Sequence, residues 1–472
     1  MFGQNRVTSA ALAVPRAEFG KTTVSQTHAT AKKAGLFYFV FVMFAYTTGG
    51  PFGMEEMVTT SGPGLTLLYL LVIPFFWCIP VSLVAAELTT AIPVEGGFYR
   101  WVRASYGDFW GFLAGWWNWS ASWLLGGSYA VLFSDYLANY FPSLAGWKHY
   151  VVSVALISLL AYVNIRGIHM VGAVATVLEI SVLVPVLLLF VIGATRWHHN
   201  PFHPFVPPGV PPFQLFGVGL ALGLWLYSGY EQCSSVAEEI DNPQRSYPRA
   251  LAIVVPLSVA VYFLPALFSL AALGNWQEWN TAYLSTAAKL IGGGWLGFLT
   301  TAAAMLGNVS LLNATVLTST RMPSAMAEDG YLPPLFAAKH KKFETPWIAI
   351  LISSAIYALL AFQTLAQLLT VYVWLRILVT ALTVLAAWRL RKKRPEMKRP
   401  FQIPWGKAGL AYVVIAPIVM SVIALVGSDK FALKWGPVPV ALGVIAYLCF
   451  RRSRQRSKPS DRGISGIRSS TT

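Results

Sequence analysis

The sequence has few charged residues for its length. Only 11% of its 472 residues are Asp, Glu, Lys or Arg, whereas 56% are hydrophobic and the mean hydropathy is +0.57. A soluble domain carries about 25% charged residues, which it needs to cover its surface in water. The shortage excludes a set of soluble domains. It predicts an integral membrane protein whose partner is the lipid bilayer.

Cysteine is also scarce, and no metal-binding motif is present. The three cysteines lie far apart in apolar stretches, which excludes a disulfide framework and a Cys-x-x-Cys metal site. The histidines lie in tails and loops, and the group at residues 198–203 has no neighbouring carboxylate or cysteine that could complete a metal site. We therefore expect no metal and no cofactor.

The long apolar stretches predict twelve membrane-spanning helices within one domain over residues 35–450. The tails are residues 1–34, which lack the apolar run of a signal peptide, and the basic segment 451–472. A helix needs roughly 20 apolar residues to cross a bilayer. The stretches that meet this length are 35–61, 64–91, 108–140, 149–165, 170–194, 213–240, 248–274, 291–320, 346–362, 365–388, 406–427 and 433–450.

The basic residues lie mostly on one side of these predicted spans. Cytoplasmic loops carry an excess of Lys and Arg, so we expect both termini in the cytoplasm and the chain in the cytoplasmic membrane. This asymmetry accounts for the net charge of +16 without a nucleic acid partner. With that orientation, the opposite side holds only Lys148, Arg196, Lys289, Lys430 and Lys434.

Two of the predicted spans contain sequences that interrupt a helix. Residues 46–53 read Tyr-Thr-Thr-Gly-Gly-Pro-Phe-Gly, and Gly costs about 1 and Pro about 3 kcal/mol inside a helix. Because Pro suits the first turn of a helix, we expect one helix to end near Thr48 and another to begin at Pro51. Residues 225–231 read Trp-Leu-Tyr-Ser-Gly-Tyr-Glu and place a glycine, a serine and a carboxylate at membrane depth.

The two breaks occupy matching positions in two blocks of five spans, over residues 35–194 and 213–390. An odd number of spans separates the starts of the blocks, so the second block is inverted relative to the first. Broken helices at corresponding positions of inverted repeats indicate a transporter's binding site near the bilayer midplane. The sequence therefore predicts a 5+5 inverted-repeat core with two accessory helices over 406–450.

The ends of the broken helices predict groups that bind the head of an amino acid. Free N–H groups at a helix start favour a carboxylate, and carbonyl groups at a helix end favour an ammonium group. We expect Gly49, Gly50, Phe52 and Gly53 to hold the carboxylate. The residues expected at the amino group or the side chain of the substrate are Tyr46, Trp225, Tyr227 and Ser228.

Acidic residues near the breaks are candidates for proton coupling or cation recognition. Ionisable residues within membrane spans are costly and are usually functional. Glu231 directly follows the second break and is the strongest candidate for proton coupling, whereas Glu55 and Glu56 either cap a helix or recognise a cation. Glu179 and Arg376 are isolated charges in their predicted spans. Each could form a salt bridge or serve as a proton site. If Glu55, Glu56 and Glu231 faced one cavity, neutral and cationic amino acids or polyamines would be favoured over anionic substrates.

Five short motifs occur in an order that is typical of one group of transporters. They are Thr48–Phe52, Trp225–Glu231, Glu87-Leu88 with Pro93–Tyr99, Arg321 with Ala327–Pro333, and Arg399–Pro404. Together they resemble the amino acid–polyamine–organocation (APC) superfamily over about residues 35–410. The resemblance implies a LeuT-like fold and secondary active transport by alternating access, with proton coupling or exchange.

The resemblance is nearest to the polyamine and amino acid uptake carriers of plants and protists. These share Gly49–Gly53 followed by two acidic residues, Val131–Leu137 and Asp241–Pro243. For polyamine carriers the resemblance implies acidic residues in the third span, and residues 115–120 have none. We therefore predict amino acids, neutral or cationic, as the substrates, with a polyamine:proton symporter as the alternative. Glu179 stands where related carriers often have a lysine that replaces a sodium ion.

An ion channel and a membrane-embedded enzyme or receptor are the alternatives from other classes. A channel would conduct far faster than a carrier turns over. An enzyme needs a catalytic constellation, and the spans contain no HExxH, GxSxG or Walker motif. We therefore predict no catalytic residues.

Overall fold

The structure is a computed structural model that describes residues 35–92, 96–166, 171–231 and 242–457. Within these ranges the description leaves out the side chains of residues 38, 42, 45, 46, 171–181, 243, 244 and 451–457. In the described part the chain is helical and contains no β-strand. The all-α class predicted from the sequence agrees with this architecture.

The helices are numbered in chain order. They are α1 Leu36–Thr47, α2 Glu55–Ser61, α3 Pro63–Ile73, α4 Ile79–Ala91, α5 Gly97–Tyr106, α6 Asp108–Tyr140, α7 Trp147–Arg166, α8 Val171–Ala194, α9 Pro212–Leu215, α10 Val218–Leu226, α11 Pro243–Leu273, α12 Tyr283–Gly292, α13 Gly294–Ser319, α14 Arg321–Glu328, α15 Trp347–Leu360, α16 Leu365–Lys393, α17 Gly406–Val426, α18 Lys430–Trp435 and α19 Pro437–Ser457. A π-helical turn, Pro74–Cys78, joins α3 to α4.

Seven helical stretches of the described chain are long and apolar enough to cross a membrane. They are Pro63–Ala91, Trp147–Arg166, Arg245–Leu273, Gly294–Glu328, Leu365–Lys393, Gly406–Val426 and Lys430–Phe450. Three shorter apolar helices, Val182–Ala194, Pro212–Leu226 and Trp347–Leu360, coincide with further predicted spans. The chain is therefore a multi-pass membrane protein, and the number of twelve spans stays a prediction.

The first predicted span is interrupted where its glycines and proline predict a break. Helix α1 ends at Thr47, and α2 begins at Glu55 rather than at the expected Pro51. Gly50 and Gly53 have φ angles of 91° and 89°, which lie outside the helical region and favour glycine. The non-helical turn is therefore longer than the proline alone predicts.

Helix α6 is the centre of the packing. It contacts α5, α7, α13, α15, α16 and α19. Its Gly126 packs directly on the ring of Tyr357 in α15, where an added methyl group would lie 2.4 Å from Cδ2. At the next position, Gly127, the nearest atom to an added methyl group is 3.4 Å away. A small residue is therefore needed at Gly126 for the two helices to approach.

A buried carboxylate ties the end of α4 to the segment after α16. Glu87 is 1% exposed and accepts hydrogen bonds from two atoms of Arg391, with Nε at 2.7 Å. Nε of Arg399 lies 3.5 Å from the same carboxylate, and the N–H of Ile403 donates to it at 2.9 Å. Arg399 also donates to the carbonyl group of Leu390 at 3.1 Å. Residues 394–403 are therefore held against α4 through one side chain.

A second ionic cluster joins α5 to the end of α14. Asp329 pairs with Arg100 at 2.7 Å and with Arg103 at 2.9 Å, and the hydroxyl of Tyr99 donates to it at 2.5 Å. The guanidinium group of Arg103 also lies over the ring of Tyr331. These side chains are partly exposed, so water screens the pairs more than it screens those of Glu87.

Candidate functional site

The two helix breaks meet at one cavity. Helix α10 packs against both α2 and α16, and the segment after α10 leaves the helix at Tyr227. The hydroxyl group of Tyr262 in α11 contacts the carbonyl oxygens of Thr47 at 3.3 Å and Leu226 at 3.2 Å. These are the last residues of α1 and α10, so one side chain joins the ends of both broken helices. The empty space of the cavity, including its part open to solvent, is about 930 Å³.

The first break supplies unpaired backbone donors to this cavity. Gly49, Gly50 and Phe52 line it. No described residue accepts a hydrogen bond from the N–H of Gly50 or of Phe52. Gly53 differs from expectation, because its N–H donates to the carboxylate of Glu55 at 2.8 Å and it does not line the cavity. The N–H of Gly49 likewise has no acceptor among the described residues, so the amide groups of Gly49, Gly50 and Phe52 are left for a substrate carboxylate within the described part of the chain.

The second break contributes an aromatic wall and a hydroxyl group. Trp225 and Ser228 line the cavity, as the sequence predicts for the substrate side. The Ser228 hydroxyl donates to the carbonyl of Leu224 at 2.6 Å and accepts from Nε1 of Trp77 at 3.1 Å. Tyr227 does not line the cavity, because its hydroxyl donates to the carbonyl of Leu70 at 2.6 Å in the protein interior. Tyr227 therefore stabilises the break through this hydrogen bond to α3.

The predicted coupling residue Glu231 forms a buried ion pair with Arg376 of α16. Both side chains are 3% exposed and both line the cavity. The N–H of Gly229 also donates to Glu231, at 3.1 Å, and Arg376 donates to the amide oxygen of Asn118 in α6, at 3.3 Å. The Arg376 guanidinium lies 5.3 Å from the ring centroid of Phe98. From the sequence Arg376 is an isolated charge, whereas in the structure it is paired with Glu231.

The condition that Glu55, Glu56 and Glu231 all face one cavity is not met, because only Glu231 lines the cavity at the breaks. Glu55 is fully buried and turns back to the break, where it accepts hydrogen bonds from Gly53 and from the hydroxyl of Tyr136. Glu56 accepts a hydrogen bond from Thr281 and lines a different cavity. Adjacent residues on a helix point about 100° apart, so the two carboxylates separate. In the described part, Glu231 and Arg376 are the only charged side chains at the cavity, which leaves it formally neutral.

Several polar side chains at the cavity come from helices that the sequence does not single out. The sequence could have indicated Asn118 and Asn308, because they are amide side chains within predicted spans, as it indicates Arg376 by its charge within a span. The tyrosines have no such signal, because their spacing is that of ordinary core residues. The cavity residues missed in this way are Asn118, Tyr129, Tyr262, Asn308 and Tyr372.

Two predicted site residues have side chains outside the described residues. These are Tyr46, at the end of α1, and Glu179, within α8. Among the side chains that are described, no group of three or more His, Cys, Asp or Glu residues is placed to hold a metal ion. The chemistry available at the cavity is therefore that of backbone amides, hydroxyls, aromatic rings and one ion pair.

Comparisons with known proteins agree with this architecture. The family model described as amino acid permease matches residues 38–447. A probable polyamine transporter of Arabidopsis thaliana is 33% identical over 88% of the chain and 85% of its own length. A polyamine transporter of Oryza sativa subsp. japonica is 31% identical, over 88% of the chain and 78% of its own length. A serine/threonine exchanger of Bacillus subtilis is 26% identical, over 79% and 86%.

Proposed function

Because the chain belongs to the amino acid permease family, we propose that it is a secondary active transporter of neutral or cationic amino acids that works by alternating access. One observation carries the substrate class. The cavity at the two breaks is lined by Gly50 and Phe52, whose N–H groups have no acceptor among the described residues, and by the Glu231–Arg376 pair, and it has no net charge from the described side chains. This set of groups complements a zwitterion, whose carboxylate and ammonium groups each need a partner of opposite charge.

The binding roles follow from the geometry at the breaks. The N–H groups of Gly50 and Phe52, beside Gly49, bind the substrate carboxylate. Ser228 and Trp225 contact the amino group and the substrate side chain, a role that the sequence also predicts for Tyr46, whose side chain lies outside the described residues. Gly53 and Tyr227 act indirectly in this proposal, because their polar groups already bond within the protein.

Coupling is assigned to Glu231. Its carboxylate faces the cavity and balances Arg376, so protonation of Glu231 removes the counter-ion of Arg376 and favours rearrangement of the site. A proton therefore moves with the substrate, or substrate exchange takes its place. Glu55, Glu56 and Glu179 remain candidates for cation recognition. Glu56 is the better placed of the first two, since it lines a cavity whereas Glu55 is enclosed.

We also propose twelve spans, with two inverted five-helix repeats over 35–194 and 213–390 and both termini in the cytoplasm. The basic segment after α16 then lies on the cytoplasmic side of the cell membrane. Single cysteines introduced at exposed positions such as Lys398 and Arg196 test this topology. Labelling of intact cells by a membrane-impermeant thiol reagent is expected at residue 196 alone, and labelling at 398 from outside would contradict the orientation.

Polyamine:proton symport is the second candidate, and the plant relatives, which are named as polyamine transporters, favour it. A polyamine has ammonium groups and no carboxylate. The free amides of the first break would then have no role, and Glu231 would have to bind an ammonium group in place of Arg376. The two candidates therefore differ in whether the cavity must also bind a carboxylate.

Uptake into proteoliposomes distinguishes the candidates. The panel contains acidic, neutral and basic amino acids together with putrescine and spermidine, tested first under a proton gradient and then under a sodium gradient. We expect neutral or basic amino acids to accumulate. Uptake of the diamines alone would leave the second candidate, and preferred uptake of glutamate would contradict the charge argument.

The coupling assignment has its own test. Glu231→Gln is expected to abolish accumulation driven by a pH gradient while it leaves exchange measurable, because the side chain no longer titrates. Full accumulation by this variant would remove Glu231 from the coupling role.

A further inference from the structure

We propose that Arg376 sets the charge class of the substrate: it makes a ligand carboxylate necessary and excludes diamines and polyamines. The inference rests on the proposed transport function and concerns only which ligands the site accepts. It differs from the assignment of the carboxylate to backbone amides, because it gives a side chain of α16 the deciding role.

The surroundings of Arg376 leave its charge dependent on one partner. The side chain is 3% exposed, and Glu231 is the only described anion at the cavity. Its other described contacts are neutral, namely the amide oxygen of Asn118 and the ring of Phe98. A buried charge that loses its counter-ion is strongly destabilising. An ammonium group that binds at Glu231 therefore has to compete with the Arg376 guanidinium for its counter-ion.

The guanidinium group also has an unused donor. Arginine has five N–H donors, and Nε of Arg376 is buried without an acceptor among the described residues. A buried donor that lacks a partner is costly, and it is satisfied when an acceptor enters. Because Arg376 lines the cavity, a ligand carboxylate can provide both the acceptor and the compensating charge.

An ammonium group and the guanidinium compete for Glu231. When an amino acid places its ammonium group beside Glu231, its own carboxylate becomes the new counter-ion of Arg376, and the cavity stays neutral. When putrescine does so, the cavity gains positive charge and Arg376 has no replacement partner. Like charges about 6 Å apart at an effective dielectric constant near 20 weaken binding by about 100-fold. Arg376 thus discriminates by the presence of a carboxylate rather than by the size of the ligand.

Two pairs of ligands isolate this property. Ornithine and putrescine differ by one carboxylate, and so do arginine and agmatine. Each ligand is added in increasing concentration to the purified full-length protein in proteoliposomes, and inhibition of the uptake of a labelled neutral amino acid is measured. For the wild type we expect the member with the carboxylate to inhibit at about 100-fold lower concentration.

Variants then test the residue. Arg376→Gln keeps a hydrogen-bond donor and removes the charge, so the ratio within each pair should fall at least about 10-fold. Arg376→Lys keeps the charge and should preserve the preference. Arg196→Gln, an exposed arginine outside the cavity, is the matched control and should leave the ratio unchanged.

The outcomes separate this inference from the proposed function. Equal inhibition by ornithine and putrescine in the wild type would overturn the role of Arg376 while transport stands. An unchanged ratio in a folded Arg376→Gln protein would do the same. If that variant does not fold, the Glu231→Gln/Arg376→Met double variant removes both charges together. It should bind ligands without preferring either member of a pair. A retained preference in this double variant counts against the inference. A wild type that transports no member of the panel would remove the proposed function itself.

Discussion

Replacement of Glu87 by alanine tests whether one carboxylate holds residues 394–403 against α4. The side chain is 1% exposed and accepts from Arg391 and from the N–H of Ile403, with Arg399 at 3.5 Å. The substitution leaves two guanidinium groups near each other without their shared anion. It also removes the acceptor of a backbone N–H that is enclosed by the fold.

The expected loss is large for a single side chain. Breaking a buried ion pair costs about 3–5 kcal/mol. For a chain of this length, an unfolding entropy near 2.1 cal/mol/K per residue converts that loss into a fall of about 3–5 °C in the apparent melting temperature. Glu87→Gln keeps an acceptor for Ile403, so its effect should be smaller, about 1–3 kcal/mol.

The assay is thermal unfolding of the purified protein in detergent, read by thiol reactivity of the buried Cys78. Glu396→Ala is the matched control, because this carboxylate belongs to the same segment and is exposed. We expect Glu87→Ala to unfold earlier than Glu87→Gln, and the control to match the wild type. Equal melting of Glu87→Ala and the control would refute the reasoning.

Three further substitutions have expected outcomes in the same assay. Gly126→Ala should destabilise by about 1–3 kcal/mol because its methyl group meets Tyr357, whereas Gly127→Ala should be neutral or slightly stabilising; equal effects would contradict the close approach. Asp329→Asn should cost about 1 kcal/mol, less than Glu87→Ala, because its arginine partners are partly exposed, and high salt should shrink the difference from the wild type. Tyr262→Phe should cost about 1–3 kcal/mol and slow uptake more than binding; an unchanged uptake rate would separate the hydroxyl from the movement of the breaks.

Features encoded by neighbouring residues were predictable from the sequence. The break near Gly50 follows from local backbone preferences, since glycine and proline act on their own φ angles and hydrogen bonds. The break after Leu226 was found in the same way, from Ser228 and Gly229 beside a carboxylate. The membrane class followed from composition alone.

Features that depend on contacts between distant residues were not predictable. Glu231 and Arg376 are far apart in the chain, and nothing local indicates that α16 brings the guanidinium to the second break. The direction of Glu55 also depends on a distant residue, because the hydroxyl of Tyr136 in α6 donates to its carboxylate. Helical geometry accounts for the divergence of Glu55 and Glu56, but it does not indicate that Glu55 is enclosed and that Glu56 lines a cavity.

The hydroxyl of Tyr262 has a further consequence for the moving parts of such a carrier. It has a single proton and two acceptors, the last carbonyls of α1 and α10, at similar distances. When either carbonyl withdraws, the hydroxyl can keep donating to the other, so a three-centre bond becomes an ordinary one and the buried hydroxyl retains an acceptor. The Tyr262 hydroxyl can therefore donate to either of the two helix ends, Thr47 or Leu226. We expect this sharing to make separation of the two helix ends less costly than it would be if each break had its own dedicated donor.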